Sequence, residues 1–205
     1  RSSRGQPTKD KLLNTALVQL ESHFPENITG EMLIEHSGVS RGSLYHHFVD
    51  VSDLLEQALV IRFSEQVDDN IKTLSKMMAE SRSADDMYDG LCDVTEITQA
   101  PENRGRRFMR ARLISFAENN DRLTQRLGAE QKRLTDGIAE LFADAQQRGW
   151  MSKMFDAHAA AQFIQAYTLG RVINDISVDG VEQQHWNDLI KRVVKLVFCS
   201  QVEPG

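Results

Sequence analysis

The sequence predicts an all-α protein: an N-terminal three-helix helix-turn-helix domain followed by a larger helical domain, about nine helices in all. Three observations carry this. Apolar residues recur at helical spacing along most of the chain. Only 4 prolines interrupt 205 residues rich in Ala, Leu, Gln, Glu, Arg and Met. Between Ile28 and Leu55, three helix starts of the same design follow one another.

The first helix is expected from about Thr8 to Phe24, with Leu12, Leu13, Ala16, Leu17, Leu20 and Phe24 on one face, after a basic arm at residues 1–7. Pro25 closes it. Each of the next three starts sets an apolar residue, a capping side chain, and a second apolar residue in a fixed order: Ile28, Thr29 and Leu33; Val39, Ser40 and Leu44; Val49, Asp50 and Leu54. A hydroxyl or carboxylate at the cap satisfies orphan N–H groups, and the flanking apolar pair staples the start of the helix. Gly38 sits where the second helix must end, a position that readily takes glycine in the left-handed region. The result is helix, short turn, helix.

At about 100° per residue, Leu44 and Phe48 point to the core, whereas Gly42, Ser43, Tyr45 and His46 point away and Arg41 lies on the flank. Small, hydroxylated, aromatic and basic side chains on one exposed face can approach a duplex, donate to phosphates and touch base edges. A plain solvated helix is the alternative for this face taken alone; the staples and the glycine turn weigh against it.

Residues 8–59 resemble the DNA-binding domain of the TetR family of transcriptional regulators. The resemblance rests on Thr29, the turn Ser37-Gly38-Val39-Ser40, the run Arg41-Gly42-Ser43-Leu44-Tyr45-His46-His47-Phe48, and Asp53-Leu54-Leu55. It implies DNA contacts from Thr29, Ser40, Arg41, Gly42, Ser43, Tyr45, His46 and His47. It also implies a homodimer on palindromic double-stranded DNA, most often a repressor released by a small-molecule effector. Three positions depart from the family pattern. Ile34 replaces a small residue, Val51 stands where a phosphate-reaching lysine is common, and Pro25 replaces a closing glycine.

The fourth helix begins at the Asp50 cap. Leu54, Leu55, Ala58 and Leu59 are expected to pack on the DNA-binding core, and the pattern continues through Phe63, Val67, Ile71, Leu74 and Met78. The boundary is drawn at residue 50, giving a DNA-binding domain at 1–50 and an effector and dimerisation domain at 51–205. Further helices are expected at about 85–99, 106–117, 121–148, 156–177 and 181–200. The resemblance implies an effector pocket among the fourth to eighth helices. Its candidate lining is Met87, Leu91, Thr95, Phe108, Arg112, Phe116, Leu134, Ile138, Phe163 and Tyr167, with Arg112 the candidate for meeting an anionic effector. The bland alternative for each is ordinary core or, for the arginine, a solvated charge.

The last two helices are apolar around more than one stripe and therefore need two partners. One is their own domain. The other is expected to be the same helices of a second chain, forming an intersubunit four-helix bundle through Ile173, Ile176, Trp186, Leu189, Ile190, Val193 and Val197. The alternative is a larger monomeric core.

Composition closes off other classes. Hydrophobic content of 40% and charged content of 26% fit an ordinary globular chain. No apolar run is long enough for a membrane span, and the N-terminus has no apolar signal core. Cys92 and Cys199 form no ligand cluster, so no metal is expected, and a reduced cytoplasmic setting is the simplest reading. Cys92 reads as a small buried hydrophobe rather than a thiol sensor. No nucleophile elbow, HExxH or phosphate-cradling glycine loop occurs, so neither catalysis nor a cofactor is expected. The net charge of −6 is unusual for a DNA binder. Residues 1–50 hold five basic residues against six acidic ones, so basic charge is concentrated in Arg1, Arg4, Lys9 and Lys11. The rival to a ligand-responsive regulator is a helix-turn-helix DNA-binding protein without an effector.

Overall fold

A computed structural model describes residues 6–196, and these contain helices and turns but no strand. The helices are α1 (Gln6–Ser22), α2 (Gly30–Ser37), α3 (Arg41–His47), α4 (Val51–Glu80), α5 (Ala84–Gln99), α6 (Arg104–Ala117), α7 (Asp121–Gln147), α8 (Ala157–Gly170), α9 (Val172–Asp175) and α10 (Gln183–Val194). Short 3-10 turns at Pro25–Asn27 and Pro101–Asn103 link α1 to α2 and α5 to α6. The predicted eighth helix is interrupted at Arg171 and appears as α8 and α9.

The three predicted caps form. The side-chain oxygens of Thr29, Ser40 and Asp50 accept the backbone N–H of Met32, Ser43 and Asp53, respectively. Gly38 closes α2 at φ 62° and donates its N–H to the Ile34 carbonyl at 2.8 Å. Leu12, Leu33, Leu44 and Leu54 are wholly buried, one from each of the first four helices, and lock α1–α3 onto the start of α4. Burial of each contributes about 1.5–3 kcal/mol. Two expectations fail here. Val49 is 79% exposed and staples nothing; instead its N–H donates to the Asp53 carboxylate at 3.1 Å. Phe24 does not join the α1 core, because α1 ends at Ser22; its exposed ring lies under the Arg112 guanidinium at 4.6 Å.

Beyond the third helix, α4 runs 30 residues and packs along α7, which packs in turn on α8. Leu54, Phe63, Val67, Leu74 and Met78 of α4 meet a face of α7 that buries Leu123, Leu127, Leu134, Ile138 and Phe142. So α4 belongs to both ends of the molecule. No helix of the described residues is long and apolar enough to cross a membrane.

Candidate nucleic-acid interface and effector cavity

Helix α3 hangs from its buried Leu44 and from Phe48 just beyond its end, and turns its other residues outward. Arg41, Gly42, Tyr45 and His46 are exposed; Ser43 and His47 are half-buried. Tyr45 keeps 47% of its surface open despite its size. A Cβ at Gly42 would meet nothing within 4 Å, so this point of the helix can come close to another surface. Ser43 spends its N–H on the Ser40 cap and accepts the Ser40 hydroxyl at 3.0 Å. The His46 and His47 rings meet edge to face at 5.1 Å, and His47 packs on Phe48 at 6.5 Å. Arg41 donates to Glu31 at 3.3 Å, with both side chains exposed. Such a pair contributes about 0–1 kcal/mol, so the guanidinium can leave it at little cost. The sequence expectation thus places Arg41, Gly42, Tyr45 and His46 together on one open face, with Thr29 exposed at the cap of α2.

Behind this face stands an ionic cluster that the sequence reading missed. Glu56 of α4 is 0% exposed. Its carboxylate accepts Arg122 through Nε at 2.6 Å and Nη2 at 2.8 Å, Arg126 Nη1 at 3.2 Å, and the Asn120 amide at 2.9 Å. Arg122 also reaches Asp50 at 3.3 Å, and Arg126 reaches Asp53 at 2.9 Å. The first two turns of α7 therefore hold the first two turns of α4, whose cap lies just after α3. Burial would raise the Asp53 pKa, but hydrogen bonds from Gln57, Arg126 and the Val49 N–H, with the charge of Arg126, hold it below the ordinary value.

Between α4, α5, α6, α7 and α8 lies a cavity of about 230 Å³. Of the expected lining, Leu91, Leu134, Ile138 and Tyr167 are on its wall. Thr95 is buried behind Tyr167; its hydroxyl donates to the Leu91 carbonyl, so the Tyr167 hydroxyl donates to Thr95, at 3.0 Å. Met87 is core, Phe116 packs against the core, and Phe163 meets the Tyr167 ring from the exposed side at 5.7 Å. Phe108 lies under Arg104. Arg112 is on the outside of α6, on Phe24, and the arginines that reach the cavity are Arg106, Arg107 and Arg110. Arg107 forks onto Asp175 at 2.7 and 2.9 Å and donates to the Thr98 and Ala100 carbonyls. Arg110 donates through Nη2 to the side-chain carbonyls of Gln131 at 2.8 Å and Gln165 at 3.1 Å. Burial pushes its pKa below the ordinary arginine value. No group of three or more metal-ligating side chains occurs among the described residues.

On the far side, Ile173, Ile176 and Leu189 are 69%, 68% and 53% exposed. Trp186 is half-buried and donates to Gln99 at 2.9 Å; Val193 is half-buried. Ile190 is a correction: it is buried in the chain's own core where α10 lies on α5, and it offers nothing to a second chain. Val197 and Cys199 lie outside the described residues. Cys92 is half-buried, and burial raises its thiol pKa.

The chain has the fold of TetR-family transcriptional regulators, and its first four helices resemble their DNA-binding domain. A protein described as a TetR-family transcriptional regulator from Mesorhizobium loti superimposes with a TM-score of 0.71 at 15% identity, covering 97% of this chain and 100% of that one. A protein described as a transcriptional regulator from Saccharomonospora viridis, solved in complex with choline, gives a TM-score of 0.70 at 16% identity over 96% of this chain and 100% of that one. In sequence, the helix-turn-helix transcriptional regulator UidR of Escherichia coli is 21% identical over 182 residues, which cover 89% of this chain and 88% of UidR. No family model matches the chain.

Proposed function

We propose that the protein is a transcriptional regulator that binds a palindromic DNA operator as a homodimer and is released by a small-molecule effector. Residues 1–50 form the DNA-binding domain, and 51–205 the effector and dimerisation domain. The carrying observation is α3: a helix capped at Ser40, anchored by buried Leu44 and Phe48, that turns Arg41, Gly42, Tyr45 and His46 to solvent. A dimer would set two such helices in successive major grooves, about 34–36 Å apart. Thr29, Ser40, Ser43 and His47 would add contacts from the helix starts and flank. The cavity, and the choline complex of a protein of the same fold, support an effector. The regulators of similar fold and sequence favour repression or activation of transcription over catalysis.

Selection from random DNA followed by titration at fixed salt tests this. The selected site should be an inverted repeat. Tyr45→Phe should weaken all sequences by a similar factor, because a hydroxyl on a phosphate reads no base. Arg41→Ala should cost about 1–3 kcal/mol and relax preference at one base pair per half-site. His46→Ala should weaken binding as well, because its exposed ring lies on the same open face as Arg41 and Tyr45. All three should keep wild-type circular dichroism, since exposed substitutions shift stability by less than about 0.5 kcal/mol. If folded variants bind as tightly as wild type, α3 is not the reading head.

A further inference from the structure

The cavity wall holds a guanidinium, that of Arg110, with no carboxylate partner among the described residues. Other arginines of this protein have carboxylates near them: the buried Arg107 is forked onto Asp175, the partly exposed Arg122 and Arg126 share Glu56, and the buried Arg171, whose Nε and Nη1 make no hydrogen bond, feels the charge of Asp175. Arg110 has none among the described residues. Its Nη2 rests on the neutral side-chain carbonyls of Gln131 and Gln165, and its Nε is buried with no hydrogen-bond partner. The two amides supply no charge. Gln131 donates to Gln165 Oε1 at 2.6 Å, and both amide nitrogens donate to Thr135 Oγ1. The guanidinium is thus held in place on a neutral scaffold, with Phe63 beneath it at 5.6 Å. A buried cation that is hydrogen-bonded but not neutralised costs free energy, and such groups are usually paired. Here the cation stands at the wall of an open cavity, where a bound molecule can supply the missing charge.

The rest of the wall limits what that molecule is. The wall also carries Leu91, Leu134, Ile138 and Phe142, all buried in the core of the bundle, and a polar stretch of α4 with Gln66, Asp69, Asn70 and Thr73. The volume, about 230 Å³, lies just below the usual range of ligand cavities, about 300–1,000 Å³. We propose that the effector is a small organic carboxylate: an anionic head on Arg110 and an apolar body against α5 and α7. This rests on the reading of the cavity as an effector site and adds the sign of the ligand, opposite to that of the choline found in the similar structure. A planar guanidinium suits a carboxylate better than a point charge does, because its fork matches two oxygens.

Isothermal titration of the full chain with matched acid and amide pairs tests it. The probes are hexanoate with hexanamide, and octanoate with octanamide. Wild type should bind each acid more tightly than its amide by about tenfold or more, the factor expected for one charge-assisted hydrogen bond. Arg110→Gln should abolish that preference while leaving amide binding unchanged, Arg110→Lys should retain part of it, and Arg112→Gln should leave it intact. Circular dichroism confirms that the variants fold, and the lysine variant carries the test should the glutamine variant not. Equal affinity for acid and amide, an acid preference that survives Arg110→Gln, or no saturable binding of either partner would each overturn the proposal. Operator binding without any ligand tests the regulator reading on its own. Release of operator by acid and amide alike would leave that reading standing and remove only the carboxylate.

Discussion

Ile176→Glu combined with Leu189→Glu should convert the protein to a monomer and weaken operator binding by about 100- to 10,000-fold. Both side chains are more than half exposed, yet both are large and apolar, and Ile173 is exposed as well. In a homodimer such side chains are expected to be covered by the second chain. Two buried carboxylates per chain, doubled by symmetry across an isologous contact, would leave like charges facing one another out of water. The loss of affinity comes from geometry. A dimer that has bound one half-site presents its second reading helix at high local concentration, and a monomer forfeits that factor. Both residues are exposed in the single chain, so the monomer should stay folded, and its circular dichroism should match wild type. Sedimentation of the wild type as a monomer at micromolar concentration would remove the dimer from the reading.

What the sequence disclosed, and what it hid, follows from the range of the forces involved. The caps at Thr29, Ser40 and Asp50 were legible because each satisfies an N–H three residues away, within reach of local pattern. The core stripes of α4 and α7 were legible because burial of Leu, Phe and Val leaves a period of 3.6. The staple at Val49 was misread because the same apolar-cap-apolar wording permits a second solution: an Asp53 carboxylate accepting the Val49 N–H, with the valine turned out. Arg112 was preferred to Arg110 because it sits one turn from both Phe108 and Phe116, which mark an inward face in most helices. In α6 the inward face is instead Arg107, Arg110 and Leu113, and the phenylalanines flank it. Two charged members of a three-residue stripe leave no apolar period to read. Ile190 shows the same ambiguity: a helix with two apolar stripes does not say which one its own domain covers. Glu56 carried no local signal at all, since its partners are 64 to 70 residues away on α7.

That remote pairing carries the second large effect. Arg122→Ala should destabilise the fold by about 3 kcal/mol, because a carboxylate with no solvent access loses its two shortest hydrogen bonds and half of its positive charge. Arg122 and Arg126 are each about a third exposed, so Glu56→Gln, which leaves the charges in contact with water, should cost less than the arginine substitution. The inequality distinguishes an ion trapped beneath α7 from an ordinary surface pair, for which both changes would fall near about 0–1 kcal/mol. Acid should weaken the cluster as well. Asp53 has a folded pKa below its unfolded value of about 3.9, so its contribution is complete above about pH 5 and fades as pH falls through and below 4. Asp53→Asn should flatten that part of the stability profile in urea titrations between pH 3 and 6. The cluster also occupies a telling place. One end is Asp50, the residue that caps α4 two positions after Phe48 anchors α3; the other is α7, the helix that brings Leu134, Ile138 and Phe142 to the cavity. A ligand that shifts α7 by a fraction of a turn must either break these hydrogen bonds or carry the start of α4 with it, and with α4 the reading helix. Arg122→Lys, which keeps the charge but loses the fork, should therefore keep most operator affinity while reducing its loss on saturation with whichever octanoyl probe binds. If Arg122→Lys and wild type lose operator affinity equally, α7 signals to the DNA face by another route.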